Sequence, residues 1–476
     1  MPLEIRQQIL GKTEASEGVD AAPGASDAFN CYDPKLADEP DTEQLTPAGA
    51  SLSKAPVPTG RVTRTLTFKT DLFGSGDTAV PIVTEPTWAR LVRAASFHTV
   101  TLKKLTLGTV TGNGYVVGEE VTQSSGTIRG IVVGCYTSGN VPVAAIAASG
   151  GYLVIYVLAG TFTAAATTGV SSGSTNTLSA VANYGGYGAV PTSLKLVNLT
   201  TGAWSGTPPA VGDNVRILDA STGLQLGNLL IVTDNGSMVD FDATLLWGSI
   251  ANGNVVQTLD GASEATLSAA PVQTHGQSMS FRRNLDGRRK GLLGARGDFT
   301  LSGDVGKRLQ FDWKFIGDLG TTVNTPPVTT SALSTYSAPR LLGGIVGVVI
   351  NGQFLRIPIK SVSLEMANEI TADLDANRSG GSRGSLITNR TPALVIETNQ
   401  THGEPDWEAL RDAGTLVPIA CILGTTRGNI CGIIAPQCQI AQATENSQKG
   451  IATFTVRAEP KRVRESGDDE LALVQL

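Results

Sequence analysis

The sequence predicts a mainly β protein with a β-sandwich or barrel core, one or two short helices, and an inserted pair of small β modules. Three observations favour this fold class. Charged residues make up only 16% of the 476-residue chain, and 55 residues are glycine, a composition that suits short strands joined by tight turns. Only two segments have a helical spacing of apolar residues. The residue pattern of almost all the remaining sequence predicts strands and turns.

The first 60 residues predict an extended N-terminal arm. They contain many prolines, glycines and acidic residues, with little hydrophobic periodicity. Residues 61–68 then alternate, placing Val62, Leu66 and Phe68 on one face, as expected of a half-buried strand.

Two short helices are predicted, and each opens with a proline. The first begins at Pro86, and its apolar residues share one stripe: Trp88, Leu91, Val92 and Ala95. The second begins at Pro405, turns Trp407 and Leu410 inward, and ends at Gly414. The strongest strand candidates in the second half are 276–283, 288–293, 309–316, 344–350, 353–359, 361–366, 393–397, 416–423, 429–434 and 450–458.

A shift in charge density marks an inserted domain. Residues 105–270 contain only three basic residues, Arg129, Lys195 and Arg216. The flanks, 61–104 and 271–476, are much denser in charge and are predicted to form the core.

The inserted domain contains an apparent internal repeat. Three short segments recur in the same order: 117–121 with 211–215, 157–162 with 245–250, and 177–180 with 266–269. This order suggests a duplicated β unit covering 117–181 and 211–270.

No constellation of catalytic residues is evident, so we expect neither enzymatic activity nor a cofactor. His98, His275 and His402 are far apart, and no nucleophile elbow or phosphate-binding loop occurs. Asp373 and Asp375 resemble the opening of a calcium loop. The remaining positions of that motif do not match, which leaves either an ion site or a hydrogen-bonded surface loop.

The densest positive patch flanks a predicted hairpin turn at residues 284–287. Its members are Arg282, Arg283, Arg288, Arg289 and Lys290. DNA contact is one reading, but aromatic residues that could stack on bases are missing. The alternatives are a solvated hairpin or one that pairs with acids on a neighbouring subunit. The candidate subunit-interface residues are therefore Asp286, Arg288, Arg289 and Lys290.

The chain is expected to be a soluble protein made in a reducing cytoplasm. The five cysteines are scattered, which indicates reduced thiols. The sequence shows neither a signal peptide nor an apolar run long enough for a membrane span. A net charge of −6 is not that of a nucleic-acid reader.

The flanks resemble the tail tube proteins of long-tailed, non-contractile bacteriophages (siphoviruses). The matching blocks span about two-thirds of the chain and are RQQIL (6–10), GVDAAP (18–23), LFGSG (72–76), PTWARLVRA (86–94), DGRRKGLLGARG (286–297), GKRLQFDWKFIG (306–317), ITNRTP (387–392), GNICGIIAPQCQI (428–440) and GDDEL (467–471). The resemblance covers residues 3–104 and 271–476, and the inserted domain departs from it.

This resemblance implies a tail-tube-type core and a structural role in the virion tail, with assembly in the host cytoplasm. Family members form homo-hexameric rings that stack into a tube. The tube conducts double-stranded DNA without sequence specificity and works with tape-measure, tail terminator and tip proteins; no membrane is involved. We expect carboxylates to dominate the lumen, which must repel phosphate. The alternatives are a carbohydrate-binding tail or adhesin protein, whose sign would be exposed aromatics along a groove, and a β-rich hydrolase.

Overall fold

The computed structural model describes residues 7–15, 17–42, 59–79, 81–193, 196–210, 213–234, 238–242, 250–268, 272–273, 276–328, 338–376, 381–399, 405–448, 450–464 and 467–476. The strands and helix of the N-terminal part are β1 (Gln7–Thr13), β2 (Tyr32–Thr42), β3 (Thr59–Asp71), α1 (Ala89–Ala94) and β4 (Phe97–Val100).

The middle of the chain forms two groups of strands separated by β14 (Tyr187–Pro191). The first group is β5 (Leu102–Thr111), β6 (Tyr115–Val116), β7 (Glu120–Gln123), β8 (Ile128–Tyr136), β9 (Pro142–Val143), β10 (Ala145–Ile146), β11 (Tyr152–Ala159), β12 (Ala166–Gly169) and β13 (Thr175–Asn183). The second group is β15 (Leu196–Thr200), β16 (Asn214–Leu218), β17 (Gln225–Asp234), β18 (Met238–Asp242), β19 (Val255–Thr258), β20 (Glu264–Thr266) and β21 (Val272–Gln273).

The C-terminal part contains the longest strands. Its elements are β22 (Met279–Leu285), β23 (Arg288–Asp304), β24 (Gln310–Asn324), β25 (Ile345–Ile350), β26 (Gln353–Arg356), β27 (Ile359–Glu365), β28 (Asn368–Leu374), β29 (Ser382–Arg390), β30 (Ala393–Thr398), α2 (Trp407–Asp412), β31 (Leu416–Leu423), β32 (Cys431–Gln448), β33 (Ile451–Pro460) and β34 (Ala472–Gln475).

The mainly β fold class is confirmed, and its sheets are antiparallel. Both helices of the described residues lie where the sequence predicts them. In the first, Trp88 and Leu91 are buried in the core. In the second, the Asp406 side chain accepts a hydrogen bond from the Ala409 amide at 3.0 Å, an N-cap that satisfies an otherwise unpaired donor. Gly414 has φ +62° just after this helix, as helix ends often require.

The core is a sheet in which the same strand arrangement occurs twice. The first repeat has the order β2-β3-β24-β23-β22-β1, and the second has the order β27-β30-β33-β32-β31-β25. In each repeat a short helix follows the second strand of this order, because α1 lies after β3 and α2 after β30. The two repeats join where β23 pairs with β27.

The two inserted modules also share one connectivity. In the first, the six strands β5, β13, β12, β7, β8 and β11 close a barrel. In the second, β15, β20, β19, β16, β17 and β18 pair in the same cyclic order, and an isolated bridge between Thr201 and Leu267 joins β15 to β20. The matched segments at Glu120 and Asn214 begin equivalent strands, β7 and β16. This shared connectivity adds support to the duplication proposed from the sequence.

The insertion is not one continuous block, unlike the predicted range 105–270. Between the two barrels, β14 returns to the core sheet and pairs with β4 and β34. The first barrel also shares a hydrophobic cluster with the core residues Ile434, Val474 and Leu476. The second barrel instead has its own cluster around Leu199, Val215 and Leu229, so only that module packs around a core of its own.

The N-terminal segment also differs from the predicted arm. Strand β1 pairs with β22, and β2 pairs with β3. Ile9, Leu10 and Phe29 are buried in the core. The sequence signal was weak because the apolar residues of this segment are few and are separated by turns, so they show no regular period.

Candidate subunit interface

The predicted hairpin turn joins β22 to β23 through Asp286 and Gly287. Their φ angles are +37° and +92°, so both central residues lie in the left-handed region. Two such residues are typical of the type I′ turn, whose twist matches that of paired strands. The turn therefore extends the end of a four-strand segment, β1-β22-β23-β24.

The four candidate subunit-interface residues differ in exposure and in their contacts. The Arg288 side chain is exposed, and no described residue forms a hydrogen bond or an ion pair with it. Arg289 is half-buried. Burial tends to raise the pKa of Asp20, but the hydrogen bond from Arg282 lowers it, and the charge of Arg289 adds a smaller lowering. Asp286 lies in the turn itself. Arg288 is thus the cation best placed for a contact outside the chain.

Lys290 is occupied within the chain. Its Nζ atom lies 2.8 Å from Asp38 Oδ2 on β2, and Arg64 Nε donates to Asp38 Oδ1 at 2.6 Å. The hydrogen bond from Arg64, together with that from Lys290, lowers the pKa of Asp38 to about 2. The carboxylate therefore ties β2 to both neighbouring cations.

The other cations of the positive patch hold the N-terminal segment. Arg282 donates to Asp20 Oδ2 at 2.8 Å and to the Pro23 carbonyl at 3.1 Å. Arg283 donates to Gln7 Oε1 at 2.7 Å. These contacts satisfy the guanidinium groups inside the chain, so most of the patch is already paired and offers little to DNA phosphates.

Among the open strand edges of the core sheet in the described residues are those of β2 and of the distal part of β32. Strand β2 has β3 as its partner on one side and no partner on the other. Strand β32 pairs with β31 only as far as Gln439, whereas its pairing with β33 continues to Gln448. Unpaired edges of this kind readily pair with another chain.

The residues considered for catalysis or ion binding are not brought together. His98 lies on β4, while His275 and His402 fall outside the described residues. Asp373 lies on β28, Asp375 just follows it, and Asn377 is not described. Across the described ranges, no group of three or more His, Cys, Asp or Glu side chains is arranged to hold a metal ion.

The cysteines are all free thiols, and four of them are buried. Burial raises the pKa of Cys31 to about 11 and that of Cys421 to about 12, so these thiols stay protonated and react slowly near neutral pH. None of the helices in the described ranges is long and apolar enough to cross a membrane.

Comparison with known proteins identifies no relative, since no protein-family model matches the chain and no curated protein matches it.

Sequence reasoning missed the open edge of β32 and the repeat within the core. A signal for the repeat was present, because Pro86, Trp88 and Leu91 recur with the same spacing as Pro405, Trp407 and Leu410. Both tryptophans are buried.

Proposed function

We propose that this chain is a structural subunit of a bacteriophage tail tube, assembling into stacked rings that conduct double-stranded DNA during ejection. The resemblance implies six subunits per ring, contacts with tape-measure, terminator and tip proteins, and a place in the virion tail. The chain would serve as a conduit wall and would carry no catalytic site.

One observation carries this proposal. The blocks that resemble tail tube proteins lie on the core, whereas the part that departs from the family forms the two barrels and contributes β14 to the core sheet. Residues 86–94 contain α1, residues 306–317 lie at the start of β24, and residues 428–440 enter β32. The resemblance therefore follows a structural division that was not used to define it.

The geometry of the core suits such an assembly. A tube subunit must join its sheets edge to edge with its neighbours, and head-to-tail contacts close into rings when the rotation between subunits allows it. The open edges of β2 and β32 lie on the same sheet, so one chain offers two surfaces for this purpose. Pairing them would also remove the aggregation risk of exposed edges.

The carbohydrate-binding alternative gains no support from the described surface. Its sign would be aromatic side chains exposed along a groove. Trp88, Trp313 and Trp407 are buried, and Tyr32 is the one aromatic among the large exposed hydrophobic residues described.

Negative-stain electron microscopy of the purified full-length protein tests the proposed function. We expect rings, or tubes with a continuous central channel, at concentrations that favour assembly. A protein that stays monomeric by light scattering and shows no rings on grids would contradict the proposal.

A further inference from the structure

The contact between the two core repeats is a short antiparallel joint. Residues Thr300, Leu301, Ser302, Gly303 and Asp304 of β23 pair with Glu365, Leu364, Ser363, Val362 and Ser361 of β27. This joint uses the part of β23 that lies beyond its pairing with β22, which ends at Ala295. It shows how one copy of the repeat binds the next.

The same two surfaces recur at the open edges of β2 and β32. Strand β2 is the counterpart of β27, because each is the first strand of its repeat in the order across the sheet. Strand β32 is the counterpart of β23, because each is the fourth. In the described residues, no strand pairs with β2 on its outer side or with β32 on this side beyond Gln439. Arg411 of α2 donates to the Ala443 carbonyl at 3.5 Å, beside the start of this unpaired part. Each open edge therefore matches one half of the internal joint.

We propose that β2 of one chain pairs antiparallel with the distal part of β32 of a second copy, repeating the internal β23–β27 joint. This inference specifies the subunit contact of the proposed tube and deepens that function. The evidence for this joint is the internal repeat of the core sheet. A joint of this kind is head-to-tail, so each added copy presents a new open edge.

The register of the joint follows from overlaying the repeats. The buried pair Trp313 and Phe68 on β24 and β3 corresponds to the pair Val456 and Ile396 on β33 and β30. Both pairs lie on the third and second strands of their repeats, and all four side chains are buried.

In this overlay, Asn446 takes the place of Ser302 and Lys35 takes the place of Ser363. Ser302 pairs with Ser363 across the internal joint, so Asn446 is expected opposite Lys35.

The neighbouring pair follows in the same way. Thr300 pairs with Glu365, which places Thr444 opposite Ala37. All four side chains of the two predicted pairs, including Lys35 and Asn446, are exposed in the single chain. Pairing would bury backbone donors and acceptors of both edges in hydrogen bonds, which is the stable state of a strand edge.

Charge placed at one predicted pair tests the register. Like charges directly opposite each other destabilise antiparallel strands, and opposite charges stabilise them. We expect Asn446→Lys to raise the protein concentration needed for half-maximal assembly at least tenfold. Asn446→Glu should assemble at about the same concentration as the native chain. Both variants lose the hydrogen bond from Asn446 Nδ2 to Thr455 Oγ1, so the control is matched. Adding Lys35→Glu to Asn446→Lys should restore assembly. Equal assembly by the two single variants would overturn the proposed register.

Disulfide trapping tests the contact itself. The double variant Ala37→Cys/Thr444→Cys should give a ladder of covalent oligomers on mild oxidation, resolved by non-reducing gel electrophoresis. Asp41→Cys/Thr444→Cys is the control, because Asp41 lies four residues further along β2 and should not reach. Absence of the ladder, or equal ladders in both variants, would overturn the joint.

The two proposals fail in different ways. Tubes seen by microscopy without a specific ladder would leave the tube intact and exclude this joint. A specific ladder from oligomers that never form rings or tubes would retain the joint and exclude the tube.

Discussion

The Glu14 carboxylate accepts a hydrogen bond from the Ser278 hydroxyl at 2.6 Å, although 264 residues separate the two in sequence. The same carboxylate accepts hydrogen bonds from the Ser280 hydroxyl at 2.6 Å and from the backbone amides of Gly18 and Gly294 at 2.8 Å. Burial raises the pKa of Glu14, and these hydrogen bonds oppose that rise. One side chain thus fixes the N-terminal segment to two strands of the core.

Glu14→Gln should destabilise the core by about 2 kcal/mol, because an amide offers one acceptor oxygen where the carboxylate offers two. A serine hydroxyl can rotate to accept from the new amide, but a backbone amide cannot and is left unpaired. Denaturant unfolding at neutral pH measures the change. Ser278→Ala, which removes one donor, should cost about 1 kcal/mol. Equal stability of Glu14→Gln and the native chain would show that this carboxylate does not fix the segment.

Asp38 predicts an acid-sensitive contact between β2 and its neighbours. Because Arg64 lowers its pKa to about 2, from an ordinary value of 3.8, the ionised carboxylate stabilises the fold above about pH 4. That contribution is lost as the pH falls through 2. Asp38→Asn should therefore be less stable than the native chain at pH 7, with the difference shrinking between pH 4 and pH 2. Asp41→Asn, at an exposed position on the same strand, is the control. A difference that does not change with pH would contradict this account.

Reversing the charges of Arg288 and Arg289 to glutamate should block assembly without unfolding the chain. The exposed Arg288 has no partner in the described structure, so the reversal removes a cation available to acids of a neighbouring subunit. Circular dichroism should be unchanged, while sedimentation should show loss of large species. Lys307→Glu is the comparison, since Lys307 is exposed in the turn at the other end of β23. Normal tubes from the Arg288/Arg289 variant would refute the role of this hairpin.

Removing the second barrel should leave both folding and assembly intact. Its hydrophobic cluster is separate from that of the core, and insertions of this kind tolerate replacement when their backbone is not shared with the rest. A variant with a Gly-Ser linker in place of residues 196–273 should melt cooperatively and form the same rings. Replacing 102–184 should instead cause aggregation, because it uncovers Ile434 and Val474. Loss of rings in the first variant would place the second barrel in the tube wall.

The sequence predicted the parts of the fold that have a local cause. Both helices followed from proline starts and apolar stripes, and the turn at Asp286 and Gly287 followed from residues that adopt positive φ. The ten predicted strands of the second half all overlap observed ones. In each case, neighbouring residues were sufficient to define the element.

Features that depend on distant partners could not be predicted in this way. Strand β14 looks like part of an inserted domain until its pairing with β4 and β34 is seen. The ion pair between Lys290 and Asp38 forms only because β2 lies close to β23, although 252 residues separate the two side chains in sequence. The unpaired end of β32 could not be predicted from its own sequence, because it depends on where the neighbouring strand β31 stops pairing with it.

The barrels interrupt only one of the two core repeats. In the first repeat, 184 residues lie between the end of α1 at Ala94 and the start of β22 at Met279, whereas α2 and β31 are separated by three. A ring built through the proposed joint would therefore alternate decorated and bare positions around its circumference. The rotational symmetry of the whole ring would count its chains, whereas the core sheets alone would approach a symmetry twofold higher, because each chain contributes two repeats of the same strand order.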